Sequence, residues 1–207
     1  MLYASKIKCY FKINFRGTLA LNLKGGIRTI SKKYNIIYAD PPWNYERNKV
    51  QGAAEHHYST MGIEELCALP VSEIAEKDCA LFLWATFPQL KEALQLIKAW
   101  GFQYKTVAFV WLKTNKKAGT WFYGLGFWTR GNAEICLLAT KGHPKRKAAN
   151  IHQLIISPVE AHSKKPDEAR EKILALMGDL PRIELFARKE IPGWDVWGNE
   201  VKSSITL

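Results

Sequence analysis

Short apolar runs alternate along this chain with segments of helical spacing. Runs rich in branched and aromatic residues predict strands at Asn35–Ala39, Cys79–Ala85, Tyr104–Leu112, Glu134–Thr140, Gln153–Ser157 and Arg182–Ala187. Helical spacing after Pro88 and after Pro166 predicts two helices, which Gly101 and Gly178 end. Thr60 is predicted to cap a short helix that runs through Leu66. This alternation predicts an α/β domain built on a largely parallel sheet with helices on both faces.

The carboxyl ends of the predicted strands are the first place to look for a site, because ligands bind there in open α/β sheets. Asp40, Pro41, Pro42 and Trp43 follow the first strand directly, and the prolines end its ladder. The polar residues 44–59 then form a long loop, and long loops beside a core strand are often functional. The residues after Phe186 lie at a second such end.

Charge adds a partner to this picture. The 207 residues carry a formal net charge of +11, which favours a polyanionic partner, nucleic acid first and an anionic membrane surface second. Residues 1–33 hold eight Lys or Arg and no acid. This basic extension fits an arm on nucleic acid, a peripheral hairpin with a strand at Cys9–Phe15, or an extension without a role. The main domain is predicted to be residues 34–207.

Cysteine and apolar patterns give no sign of secretion or of a metal site. The four cysteines form no Cys-x-x-Cys pair, and His56, His57 and His162 show no ligand spacing, so no metal is expected. No apolar run reaches the roughly 18–20 residues of a membrane span, and the N-terminus lacks the features of a signal peptide. We therefore expect free thiols, no membrane association and a cytoplasmic location.

The Asp-Pro-Pro-Trp motif meets the chemical needs of methyl transfer to the N6 amine of adenine. The lone pair of that amine is delocalised into the ring, so an enzyme must orient the amine and stabilise the positive charge that develops. Asp40 supplies a charged acceptor, the Pro41 carbonyl a second one, and Pro42 stiffens the turn. Trp43 is predicted to offer a flat face to an extruded base. The alternative is an ordinary turn that ends a strand.

Eight blocks of sequence extend this interpretation. They are ADPPW (39–43), YSTM (58–61), LFLWAT (81–86), WLKTN (111–115), WTRGNAE (128–134), HSKKPDE (162–168), ELFAR (184–188) and GWDVWGNE (193–200). In this order, over roughly residues 35–201, the chain resembles the MT-A70 family of adenine-N6 methyltransferases, and most closely its short phage and prophage members.

The resemblance implies a Rossmann-like fold in permuted order, with the catalytic motif before the cofactor strand, and S-adenosyl-L-methionine as the methyl donor. It explains why no G-x-G-x-x-G follows an early strand. It also implies that Asp40 lies near the methionine amino group and Lys165 faces the methionine carboxylate. Glu184 suits the ribose hydroxyls. The remaining cofactor positions that it implies are Leu185, Phe186, Arg188, Asn199 and Glu200, the last of which is often Gln in relatives.

Candidates for substrate contact lie in the loops. Tyr58, Lys113, Arg130 and Asn132 are predicted to meet the target base or its strand. Two basic stretches flank an aromatic loop, a pattern that suits phosphate contact beside base stacking. The stretches are Lys113, Lys116 and Lys117, then Lys141, Lys145, Arg146 and Lys147, around Trp121, Phe122, Tyr123, Phe127 and Trp128.

Three functions follow from these patterns. The first is a DNA adenine-N6 methyltransferase, acting in the bacterial host cytoplasm if the chain is encoded by a phage. The second is an RNA adenine-N6 methyltransferase, because the chemistry is the same; DNA is favoured because RNA-modifying relatives usually work in larger assemblies. The third is a catalytically silent nucleic-acid-binding protein, although silent relatives typically lose the Asp-Pro-Pro-Trp motif. A homodimer is left open.

Overall fold

The computed structural model describes residues 32–44, 60–126, 128–161 and 163–207. Its strands are β1 (Tyr34–Ala39), β2 (Ala75–Ala85), β3 (Gln103–Thr114), β4 (Ala133–Lys141), β5 (Leu154–Pro158), β6 (Arg182–Leu185) and β7 (Asp195–Trp197). Its helices are α1 (Ile63–Ala68), α2 (Val71–Ile74), α3 (Leu90–Ala99) and α4 (Glu168–Met177), and a 3-10 turn at Phe87–Gln89 leads into α3. The strand predicted at Cys9–Phe15, His56, His57, His162 and most of the basic extension lie outside the described residues.

One seven-stranded sheet organises the described chain, in the order β5-β3-β4-β2-β1-β6-β7. β1 pairs in parallel with β2 and β6, β6 with β7, and β3 with β5. Only β4 runs against its neighbours β2 and β3. The predicted largely parallel sheet is therefore confirmed, with one antiparallel strand that places its first residues beside the carboxyl ends of the others.

Alternating residues of the strands fill two cores, one on each face of the sheet. One face packs against α1, α2 and α3 through residues such as Leu66 and Leu96, and the other packs against α4 through Ile173. This arrangement confirms the predicted helices on both faces. Among the described residues, no helix combines the length and the apolar character that crossing a membrane requires.

Several element boundaries differ from the predictions for local reasons. The first helix begins at Ile63 after Gly62, whose N–H donates to the Glu65 carboxylate at 2.8 Å, so Thr60 is not its cap. β6 ends at Leu185 rather than Ala187, because Phe186 adopts a φ of 62°, which a strand does not allow. The short elements α2 and β7 carry too few residues for a periodic pattern and were not predicted.

Candidate active site

The carboxyl ends of the parallel strands converge at one edge of the sheet, which we call the active edge. Ala39 lies opposite Leu185, and Leu185 lies opposite Trp197, so the residues that follow β1, β6 and β7 are neighbours. Ala85 at the end of β2 lies opposite Ile135 near the start of β4. The antiparallel direction of β4 therefore brings Glu134 to the same edge as Asp40.

The Asp-Pro-Pro-Trp segment forms a tight turn directly after β1. The Trp43 N–H donates to the Pro41 carbonyl at 2.9 Å, and the Pro42 carbonyl accepts the Met61 N–H at 2.9 Å. The predicted second acceptor, the Pro41 carbonyl, thus already holds one hydrogen bond within the turn. A carbonyl oxygen has two lone pairs, so one position on Pro41 remains for another donor.

Trp43 does not present the open face that the sequence predicted. Its side chain is buried, with 7% exposed, and belongs to the core on the α1 and α3 face of the sheet. Its indole N–H donates to the Trp84 carbonyl at 3.2 Å. A ring held this way anchors the turn to β2 and is not available for a base to stack on.

Four charged side chains form a network beside this turn. The Lys165 ammonium donates to the Asp40 carboxylate at 2.9 Å and lies 3.3 Å from Glu134. The Lys113 ammonium contacts the other oxygen of Glu134 at 2.5 Å. With all four groups ionised, the two lysines balance the two carboxylates, which lowers the cost of burying them.

Burial and neighbouring charges shift the pKa values of the groups in this network in different directions. Burial raises the pKa of the Asp40 carboxyl, the Lys165 ammonium opposes that shift, and Glu134 and Glu184 reinforce it, so the pKa lies above its ordinary value. Burial also disfavours charge on Glu134 and Lys165, but their opposite charges outweigh it. The pKa of Glu134 is therefore lowered and that of Lys165 is raised. Asp40 is therefore protonated at a higher pH than an ordinary aspartate.

Lys165 is held by the loop before α4. Its ammonium also donates to the Ser163 carbonyl at 3.1 Å, and only 8% of the residue is exposed. Ser163 has a φ of 57°, in the left-handed region, so the chain turns sharply at the residue whose carbonyl accepts this bond from Lys165. A cavity of about 210 Å³ opens next to Lys165 and is also lined by Ser157 and Asp167.

Glu184, which the resemblance places at the cofactor ribose, is paired with Arg170 in this structure. Both of its carboxylate oxygens accept bonds from the Arg170 guanidinium, each at 2.7 Å, and the residue is 7% exposed. Such a bidentate pair fixes α4 to the sheet and leaves few lone pairs for ribose hydroxyls. Leu185 is fully buried in the core. Phe186, which directly follows β6 at the active edge, packs its ring edge-on against Trp197 at 5.3 Å between centroids.

The other cofactor candidates lie at the rim of the active edge. Arg188 and Glu200 form an exposed ion pair at 3.0 Å, and Asn199 beside Glu200 is exposed. Gly198 lies so close to the chain after β6 that an added Cβ would be 2.3 Å from the Ala187 carbonyl. We call Arg188, Asn199 and Glu200, which follow β6 and β7, the polar rim.

The structure separates the substrate candidates. Lys113 is held by Glu134, and its main-chain N–H donates to the Asn132 carbonyl at 2.9 Å, so both lie at the active edge. Arg130 donates to the Tyr123 and Gly124 carbonyls and so closes its own loop. Tyr58 lies outside the described residues.

The second basic stretch is not near the site. β4 enters at the active edge and leaves toward the opposite edge, where Lys141 pairs with Cys79 in the first half of β2. Lys141 therefore lies roughly 23 Å from Glu134, seven residues along this strand, and Lys145 through Lys147 follow it at that end. The two basic stretches predicted to flank the aromatic loop thus lie at opposite edges of the sheet, because the sequence pattern did not reveal the direction of β4.

Two residues of the site were missed among the candidates. Glu134 lies in the block WTRGNAE but has no acidic partner in sequence, and Arg170 lies on an ordinary amphipathic helix. The signal for Glu134 was its position at the start of a strand, which becomes informative only once β4 is known to be antiparallel. In the described part of the chain, no group of His, Cys, Asp and Glu could hold a metal ion.

Several known proteins are similar to this chain in sequence. A model of the MT-A70 family matches residues 34–200. The Type II methyltransferase M.MunI of Mycoplasma sp is 37% identical over 190 residues, which cover 82% of this chain and 78% of that protein. The N(6)-adenosine-methyltransferase catalytic subunit METTL3 of Homo sapiens is 29% identical over 177 residues, or 84% of this chain and 29% of METTL3. The N(6)-adenosine-methyltransferase MT-A70-like protein of Drosophila melanogaster is 31% identical over 177 residues, or 28% of its length.

The sheet order and the carboxylate at the end of β1 define a Rossmann-like methyltransferase domain. The chain belongs to the MT-A70 family of adenine-N6 methyltransferases, which confirms the resemblance seen in the sequence blocks. S-adenosyl-L-methionine is the methyl donor of this family. The charges present fit such a donor, since Asp40 and Lys165 carry the charges opposite to those of its methionine amino and carboxylate groups, and Arg188 and Glu200 are exposed polar groups.

Proposed function

We propose that this protein transfers a methyl group from S-adenosyl-L-methionine to the N6 amine of adenine in DNA. The observation that carries the proposal is the Asp40 carboxylate, ion-paired to Lys165 at the carboxyl end of β1 and still 28% exposed. That exposure leaves the carboxylate accessible to a ligand while the pair keeps it in place. When bound, the cofactor supplies an electrophilic methyl group.

Asp40 and Pro41 orient the target amine. The Asp40 carboxylate accepts one amine hydrogen, and the free lone pair of the Pro41 carbonyl accepts the other, so the nitrogen lone pair turns toward the methyl carbon. The negative charge of Asp40 would stabilise the positive charge that the amine nitrogen gains when it accepts a methyl group. The proton that the nitrogen then loses would pass through the Asp40 carboxylate, which is 28% exposed, to water.

Lys165 and Glu134 position this acceptor. Lys165 forms ion pairs with both Asp40 and Glu134. The ion pair between Lys113 and Glu134 restrains the Glu134 side chain in turn. In the same site, Lys165 would hold the methionine carboxylate and the rim residues Arg188, Asn199 and Glu200 would meet the nucleoside. Cofactor contacts by Glu184 and Leu185 side chains are not part of the proposal, because both are committed to packing.

DNA is favoured over RNA by the pattern of similarity. The chain aligns with most of M.MunI, whose designation as a Type II methyltransferase belongs to DNA-modifying enzymes, but with under a third of each N(6)-adenosine-methyltransferase. RNA is the second candidate, since those adenosine methyltransferases share the same family. The similarity to M.MunI, a bacterial protein, supports the expectation that this protein acts in the cytoplasm.

The test offers matched substrates to the full chain. Single- and double-stranded DNA and RNA oligonucleotides of the same sequence, tiled to cover many adenine contexts, are incubated with methyl-labelled S-adenosyl-L-methionine, digested and resolved by mass spectrometry. We expect labelled N6-methyldeoxyadenosine. Label confined to RNA would replace DNA by RNA as the substrate. No labelled adenine, with cofactor binding shown by calorimetry, would contradict the proposed function.

A further inference from the structure

The connection between β3 and β4 is a folded structure that begins and ends at the active edge. The Phe122 N–H donates to the Lys113 carbonyl at 2.9 Å, and Thr114 pairs with Trp121, so the chain first returns along β3. A second loop, residues 124–131, is closed by the Gly124 N–H donating to the Gly131 carbonyl at 2.6 Å. The Arg130 guanidinium closes it again through two carbonyls.

A sharp turn fixes the tip of this second loop. Gly126 has a φ of 64°, and an added Cβ would lie 1.8 Å from the Thr129 carbonyl oxygen, so only glycine fits. The hydrogen bonds that close the loop involve its base and leave the Leu125 and Trp128 side chains uncovered. We call Leu125, Gly126 and Trp128 the apolar tip.

The two large apolar side chains of the tip, Leu125 and Trp128, are highly exposed. Trp128 is 101% exposed and Leu125 is 76% exposed, the largest values among the exposed large hydrophobic residues of the described chain. Exposed apolar groups cost free energy in water, and a built loop that displays them marks a contact surface. Burial against a partner would recover that cost.

The charge around the apolar tip indicates what the partner is. Residues 113–132 carry Lys113, Lys116, Lys117 and Arg130 and no acidic residue. The whole chain is at +11, so a second copy brings like charge to this loop, whereas the phosphates of nucleic acid bring the opposite charge. An apolar side chain between cations is also the arrangement by which proteins insert a wedge between base steps.

We propose that the apolar tip is a wedge that enters the DNA duplex at the target adenine, with Trp128 stacking in the space that the base leaves. This inference rests on the proposed function, which requires the adenine to leave the duplex before it can reach Asp40. The loop starts beside Lys113 and ends beside Glu134, so the wedge projects from the same edge as the site. Lys116 and Lys117, both exposed, contact the flanking phosphates.

The test compares Trp128→Ala with wild type on three DNA substrates that contain the same target. They are a fully paired duplex, a duplex with an abasic site opposite the target adenine, and the single strand. We expect Trp128→Ala to methylate the paired duplex roughly ten- to hundred-fold more slowly, since stacking is worth that factor per base. On the other two substrates, where little stacking must be broken, its rate stays within about threefold.

Two further variants and an independent readout complete the design. Trp128→Phe keeps an aromatic ring and restores most of the duplex rate, while Leu154→Ala removes an apolar side chain that is 51% exposed on edge strand β5 and changes neither rate. Binding to a duplex with 2-aminopurine at the target position raises its fluorescence with wild type and much less with Trp128→Ala. This readout reports base extrusion without methyl transfer, so it separates failure of the wedge from failure of the proposed chemistry.

Several results would overturn the wedge. Equal loss on all three substrates would do so, as would a wild-type enzyme that acts only on single strands or only on RNA. A sedimentation coefficient that falls on Trp128→Ala substitution would instead show that the tip is a contact between two copies of the chain. A duplex rate unchanged by Trp128→Ala, with unchanged 2-aminopurine fluorescence, would leave the tip without a part in base extrusion.

Discussion

Lys165 is a buried ammonium that two carboxylates share. Each carboxylate would be costly to bury alone, and each lies within 3.3 Å of the same cation. The motif containing Lys165 was visible in the sequence, and so was Asp40. Their pairing was not, because residues 125 positions apart give no local signal of contact.

Glu134 is expected to set the pH range in which Asp40 works. Its negative charge raises the Asp40 pKa, so Glu134→Gln lowers that pKa and keeps Asp40 ionised to a lower pH. Since methyl transfer needs the ionised form, the acid limb of the pH–rate profile moves to lower pH in the variant. Single-turnover rates with saturating cofactor, measured between about pH 4 and 8, report this limb.

Glu160→Gln serves as the control for that profile. Glu160 pairs with Lys164 near the same loop, but it is half exposed and does not contact Asp40. Its profile should match that of the wild type. An acid limb that moves upward in Glu134→Gln, or not at all, would show that Glu134 does not act on Asp40.

Trp43 is expected to stabilise the fold and to leave base stacking to other residues. Trp43→Ala removes a buried indole and its hydrogen bond, so the free energy of unfolding should fall by about 3–5 kcal/mol. Trp128→Ala removes a fully exposed ring and should change it by less than about 0.5 kcal/mol. Urea unfolding followed by circular dichroism measures both free energies. If Trp43→Ala keeps wild-type stability but binds DNA weakly, Trp43 stacks on the base as the sequence predicted.

At the scale of elements, α4 is joined to the sheet by an ion pair across its inner face. Arg170 on α4 and Glu184 on β6 meet through two parallel hydrogen bonds, and Arg170 also lies 5.4 Å from the ring centre of Tyr38. The Arg170–Glu184 ion pair thus holds the loop before α4, which contains Lys165, against the end of β1. Its energy comes from pairing two largely desolvated charges, so the loss of one leaves the other uncompensated.

Glu184→Gln should therefore destabilise the protein by about 3–5 kcal/mol, with the Arg170 guanidinium left without its counter-charge. Asp179→Asn is the matched control, because Asp179 pairs with Arg182 but is 92% exposed; its effect should be below about 1 kcal/mol. Thermal and urea unfolding compare the two. If Glu184→Gln keeps wild-type stability but weakens cofactor binding, Glu184 is a ribose contact as the family resemblance implied.

Most long elements were predictable because their apolar periodicity is strong, and β1, β2, α3 and α4 lie where the pattern placed them. The pattern found the apolar second half of β2 but not its start at Ala75, because the polar residues Glu76–Asp78 interrupt the apolar run, and it placed the start of β3 one residue too late. β7 has only three residues, and its place comes from pairing with β6 rather than from its own sequence. Local sequence patterns do not reveal the direction of a strand, and the direction of β4 determines which basic residues lie near the site.

At the scale of the whole molecule, the positive charge is divided between opposite edges of the sheet. Lys116 and Lys117 lie at the active edge, while Lys145 and Arg146 follow β4 at the other edge. Only the first pair is expected to meet phosphates of a strand whose adenine occupies the site. The composition predicted a polyanionic partner, but only the sheet topology shows which basic residues lie near the site.

Neutralising the two edges separately tests this division. The double variant Lys116→Gln and Lys117→Gln should bind duplex DNA more weakly and reduce the slope of log affinity against log salt by about 2. The double variant Lys145→Gln and Arg146→Gln has the same net charge and should leave the slope unchanged. Fluorescence anisotropy over about 50–200 mM salt measures both. Equal slopes in the two variants would mean that DNA contacts both edges.

The central claim is that Asp40 holds the target amine, and Asp40→Asn tests it most directly. Asparagine keeps the size of the side chain but removes its charge, and Asp195→Asn at the opposite edge is the control. The measurement is the single-turnover rate of methyl transfer to DNA, with cofactor saturation verified by calorimetry. We predict a fall of about 10²–10³ for Asp40→Asn with little change in melting temperature. A rate within about threefold of the wild type would contradict the account.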